Sequence, residues 1–71
     1  MATTLEELQI RFTYHKPKEG QAEIYEQMRN RALLFSHALI SVCPESRELS
    51  LALTHLDEVV FWANAAIARR S

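Results

Sequence analysis

SRELSLALTHLDEVVFWANAAIARR, residues 46–70, decides the fold. Leu49, Leu53, Leu56, Val60, Ala63 and Ile67 recur within it at steps of four, three, four, three and four. That alternation is the seam of a helix packed lengthwise against another helix. A strand would need apolar residues at every second position, and no stretch of the chain sustains that. Pro44 suits a first turn, and Glu45 and Glu48 favour the positive pole of a helix that starts there. Arg69 and Arg70 complement the negative pole at the other end. The spacing predicts a helix over about residues 45–69.

Working backwards, Cys43-Pro44-Glu45-Ser46 is a break. Before it, about residues 21–42 read as a second helix whose apolar face is Ile24, Met28, Phe35, Ala38 and Val42, widened by Leu34 and Leu39. Arg31 stands where this stripe expects an apolar residue. Two helices of this length joined by so short a turn must be antiparallel neighbours, each roughly 33 Å long. A first helix over about residues 3–11, capped by Thr3 or Thr4 with Glu6 and Glu7 in its first turn, has too few apolar positions to stand alone. The expected fold is therefore all-α: a short N-terminal helix plus a long antiparallel helical hairpin, one domain over residues 1–71.

Such a chain needs company. It buries roughly 60% of its unfolded surface at best, and its single cysteine, Cys43, forms no internal disulfide. Yet 48% of its residues are hydrophobic. Leu33, Leu51, Ala52, Val59, Trp62, Ala65 and Ala66 remain once the hairpin seam is filled, which implies a homo-oligomer. A net charge of −1 disfavours DNA or RNA as partner, because counterion release needs clustered cations. No apolar run approaches the roughly 20 residues of a membrane span. The opening residues lack the basic start and apolar centre of a secretory leader. The host cytoplasm is the expected location, and a lone thiol fits a reducing compartment.

No nucleophile elbow, glycine-rich phosphate loop or metal-ligand spacing is present, so no enzyme, no metal and no cofactor is expected. His37 and His55 stand alone on separate helices. The loop RFTYHKPKEG, residues 11–20, is the exception. Phe12 and Tyr14 alternate in what should be extended chain, so their rings would project to one side. A base stacks on such a ring for roughly 1–3 kcal/mol, and Arg11, His15, Lys16 and Lys18 supply charge for phosphate. The plainer reading has Phe12 in the core, Tyr14 at an edge and the cations in water. Arg29 and Arg31 offer guanidinium forks for phosphate, or else surface ion pairs.

RFTYHKP in the loop, SRELSLALTHLDE at the start of the third helix and WANAAIARR at its end resemble the phage anti-CBASS protein two family, related to a Thoeris anti-defence hairpin domain. The resemblance implies a compact homohexamer. It implies a sponge that binds cyclic dinucleotides such as cyclic GMP–AMP between paired subunits without cleaving them, and so starves the effector of bacterial CBASS immunity. Some members also hold cyclic trinucleotides at separate sites. By position the stacking tyrosine falls on Tyr14, with Phe12, His15 and Pro17 beside it. The helix cation of the dinucleotide site falls on Arg29 or Arg31, with Arg29 the expected one. Arg69, with Arg70 as competitor, and Arg31 are the candidates for a trinucleotide site. A structural or protein-binding helical bundle that blocks a host protein is the alternative.

Overall fold

The computed structural model describes residues 4–71. Three helices follow one another: α1 (Leu5–Arg11), α2 (Gln21–Val42) and α3 (Arg47–Arg70). The expected helix start at residue 3, with Thr3 as a cap, lies outside the described residues. Thr4 caps α1, its Oγ1 accepting the Glu7 amide at 3.1 Å. Ser46 does the same for α3, its Oγ accepting from the Leu49 amide at 3.1 Å. The third helix therefore begins at residue 47, and Pro44 sits two residues ahead of the cap instead of in the first turn. A serine in extended conformation satisfies an orphan amide at a helix start, which the proline ring cannot do.

The loop between α1 and α2 ends in a tight turn. The Gln21 amide donates to the Lys18 carbonyl at 3.0 Å, with Gly20 at φ 84°, ψ −12°. Those angles at the third position of a turn define type II, which requires positive φ and hence glycine.

α2 and α3 pack side by side as an antiparallel hairpin. On α3 every residue of the expected seam, from Leu49 to Ile67, is half-buried. On α2 the expectation fails. The covered residues are Gln21, Tyr25, Met28, Ala32, Ser36, Leu39 and Cys43, again at heptad-like steps. Of the expected stripe only Met28 and the widening Leu39 belong to that seam, while Phe35 is 55% and Val42 78% exposed. α2 has two faces with helical spacing, and the seam uses the less apolar one, with Ala32 and Ser36 at its middle.

None of the described hydrophobic residues is buried. A chain of this mass should expose about 4,500 Å² when compact, but this one exposes 6008 Å². Its radius of gyration is 15.5 Å, against about 11 Å for a globule of this length. The molecule is a layer of 45 × 30 × 15 Å. Two apolar grooves run along it. One, about 290 Å³, lies among Met28, Arg31, Phe35, Val59 and Ala63. The other, about 410 Å³, lies among Leu33, Ser36, Leu53, Asp57 and Phe61. Ala32, Leu56 and Val60 line both, so the grooves occupy opposite faces of the hairpin.

A methyl group on Gly20 would meet nothing within 4 Å, so Gly20→Ala isolates the cost of the backbone conformation. It should lower stability by about 1–2 kcal/mol. Denaturant unfolding at matched protein concentration checks this.

Candidate ligand-binding site

The loop, the end of α3 and the first turns of α2 border a shallow, open concavity of about 480 Å³. Tyr14 and His15 come from the loop, Tyr25 and Arg29 from α2, Asn64 and Arg69 from α3. These side chains share one cleft because the hairpin is antiparallel. The start of α2 lies beside the end of α3, and the loop crosses both.

Each member is held differently. Tyr14 is 83% exposed, so its ring face is free to receive a flat partner. His15 is half-buried and its Nε2 lies 2.6 Å from the Ile10 carbonyl. A carbonyl only accepts, so the proton sits on Nε2 and Nδ1 is left for other work. Thr13 ties the same strand of loop to α1, its Oγ1 donating to the Gln9 carbonyl at 2.7 Å. Neither Arg29 nor Arg69 is ion-paired among the described residues. Asn64 Oδ1 is shielded from water with no donor among the described residues. An acceptor left in that state costs roughly 1–3 kcal/mol, and a ligand or a second copy that brought a donor would relieve it.

Phe12 does not join Tyr14. It is the C-cap of α1 with ψ 21°, not extended chain, so the expected alternation is broken and the two rings diverge. Phe12 instead lines a neighbouring concavity with Trp62, Arg69, Arg70, Arg11 and Glu7. At 80% exposed it is not a core residue either. Pro17 is exposed and lies outside the Tyr14 cleft. Arg29 and Arg31 are about 200° apart around α2. Arg29 lines both the Tyr14 cleft and the groove with Leu33 and Phe61, whereas Arg31 lines the groove with Met28 and Phe35. The structure thus brings together Tyr14, His15, Arg29 and Arg69, and leaves Phe12, Pro17, Arg31 and Arg70 apart from them. Sequence reasoning missed Tyr25. Its signal was the four-three-four step from Gln21 to Ala32, passed over for a more apolar stripe.

Arg70 is engaged by α1. Its guanidinium donates to both Glu7 carboxylate oxygens, at 3.1 and 2.5 Å, while Arg11 Nε lies 3.4 Å from Oε1. The hydrogen bond from Arg70, backed by the charges of Arg70 and Arg11 and opposed by partial desolvation, holds the Glu7 carboxyl below its ordinary value. A lowered carboxylate contributes stability above its unfolded value and loses it as pH falls through the folded one. An NMR titration of Glu7 should therefore give a midpoint below 4.5, and Arg70→Gln should bring it back up. Docking of α1 should weaken on acidification through the same range.

No group of three or more metal-ligating side chains is found among the described residues. No helix among them is long and apolar enough to cross a membrane. Comparison with curated proteins and with solved structures returns no significant match. The family model for the Acb2/Tad1 hairpin domain matches residues 4–68, which takes in the Tyr14 loop, α2 and all of α3 but Arg69 and Arg70, and the chain belongs to that family.

Proposed function

We propose that this protein is a phage anti-defence sponge that binds and sequesters a cyclic dinucleotide messenger of bacterial CBASS immunity without cleaving it. The observation that carries the reading is the meeting of an exposed tyrosine with two unpaired arginines in one cleft. A base stacks on the ring, and a guanidinium takes a phosphate in bidentate fashion. The lining of that cleft holds no carboxylate to orient a histidine as base, and no group of three or more metal-ligating side chains is found among the described residues. Attack on a phosphodiester needs a positioned base or a metal, so this set of residues favours holding over hydrolysis.

The ligand's symmetry fits the protein's needs. A cyclic dinucleotide has two bases and two phosphates about an approximate twofold axis. Two copies of the chain joined by a twofold contact would bring two Tyr14 rings and two Arg29 forks to it. Assembly should go further than a pair. Apolar grooves on opposite faces cannot both be covered by one twofold contact. The surplus exposed surface, about 1,500 Å², is near what two standard interfaces take from one partner. A homohexamer accounts for both, and native mass spectrometry should report six copies.

Two further ligand questions belong to this reading. Cyclic trinucleotides would bind elsewhere, through Arg69, Arg70 and Arg31 of neighbouring copies. The natural location would be the host cytoplasm, where the messengers are made. The same apolar grooves also favour a second reading, an adaptor that docks on a host protein. Recovery of a stoichiometric host protein with no nucleotide would support it.

Calorimetry with cyclic GMP–AMP should give saturable binding, and heating the complex should return the ligand intact. Tyr14→Ala should abolish binding while the oligomer persists. Arg29→Ala should weaken it at least about tenfold through the lost charge-assisted pair. Unchanged affinity in Tyr14→Ala would remove the stacking role, and degraded ligand would make the protein an enzyme.

A further inference from the structure

One described side chain is buried, and it is polar. Gln21 is 6% exposed in a chain where no described hydrophobic residue is buried. Both ends of its amide are used. Oε1 accepts from the Lys18 backbone amide at 2.9 Å, and Nε2 donates to the Ile67 carbonyl at 3.3 Å. Ile67 lies in the last turn of α3, two residues before Arg69. Its carbonyl also accepts the Ser71 amide at 3.3 Å, and Lys18 Nζ donates to the Ser71 carbonyl. The exit of the loop is thereby fixed to the turn that carries Arg69.

The entry of the loop is fixed to something else. Thr13 and His15 bond to the carbonyls of Gln9 and Ile10 in α1. α1 is seven residues long with none buried, and it reaches α3 through the Glu7–Arg70 pair. Tyr14 therefore has three tethers to the end of α3. Two, the Glu7–Arg70 pair and the Lys18 Nζ bond to Ser71, use charged donors at least partly exposed and are weakened by salt. The third is a buried neutral amide that salt does not reach.

We propose that Gln21 is the positioning residue of the ligand loop: its amide sets the distance between Tyr14 and the arginines of the helices across the cleft. This rests on the reading that the Tyr14 cleft is where the ligand binds. A glutamine that merely filled space would be replaced without loss by methionine, which has similar length. A positioning glutamine would not, because the loop would then spend much of its time out of register with Arg29 and Arg69. Apparent affinity falls with the fraction of competent protein. That loss belongs to association, since the bound complex restores the same geometry.

Stopped-flow binding of cyclic GMP–AMP to wild type, Gln21→Met and Gln21→Glu tests this. Gln21→Met should slow association about tenfold and leave dissociation within about twofold. Its affinity should also fall more steeply with salt than that of wild type, because the loop then hangs on the Glu7–Arg70 pair and the Lys18–Ser71 bond. Gln21→Glu keeps the acceptor for Lys18 but sets a carboxylate against the Ile67 carbonyl. It should also slow association, and it reads the α3 bond alone should the methionine variant fail to fold. Wild-type association in either folded variant, or a loss residing in dissociation, overturns the assignment. Failure of wild type to bind cyclic GMP–AMP overturns the functional reading instead. Amide exchange in the ligand-free proteins still judges Gln21 in that case. In Gln21→Met the amides of Lys18 and Ser71 should lose protection together, and loss at Lys18 alone overturns the tether.

Discussion

Two helices lying side by side bury only the stripe along which they touch, and a layer 15 Å through has no depth in which to hide the remainder. The apolar residues of this chain cannot be satisfied within it. Everything else in the structure follows from that constraint. The seam sets the aliphatic stripe of α3 against a mixed stripe of α2 in which Ala32 and Ser36 are the small members. The large residues, Phe35, Phe61 and Trp62 among them, are turned outward on both faces. In an ordinary domain those would be the core. Here they are left exposed, and the proposed assembly would supply the other half of that core.

The same constraint explains where a ligand site can be. A thin layer cannot enclose a ligand, and the cation-rich concavities around Tyr14 and Phe12 lie where a third element crosses the end of the layer. The loop and α1 cross there, and polar bonds hold them: the Gln21 amide, the His15 ring and the Glu7–Arg70 pair. Polar bonds suit this place. Each is directional, so it sets position, whereas an apolar contact of equal strength would permit sliding. A site that must present a ring and two guanidiniums at fixed separation gains more from direction than from burial.

How much of this could be read from the sequence depended on how strictly each element obeys one pattern. The seam of α3 was legible because its heptad steps run from Leu49 to Ile67 without a break, and one periodicity has one solution. α2 was not legible in the same way. Two apolar stripes coexist on it, and hydrophobicity selected the outward one, since residues that face another chain are as apolar as residues that face a helix. Ser46 was hidden behind Pro44, a louder signal for a helix start. The loop was legible as a loop, from Pro17 and Gly20, but not in its internal conformation. Phe12 takes a cap geometry that nothing in residue types foretells. Gln21 was illegible for a plain reason: a glutamine at the first position of a helix looks like surface, and only the fold brings the Ile67 carbonyl to it.

Charge pairing separates cations that sequence alone could not rank. Arg69 and Arg70 are adjacent, and both complement the end of α3 in the same way. In the folded chain Arg70 is spoken for, with both Glu7 oxygens on its guanidinium. Arg69 has no such partner among the described residues and lines the concavities on either side of the loop. A phosphate approaching Arg70 would have to displace a carboxylate already held bidentately, and the gain would be the small difference between two similar anions. A phosphate approaching Arg69 would displace water. The difference in desolvation and competition, not in intrinsic strength, makes Arg69 the available cation and Arg70 the structural one.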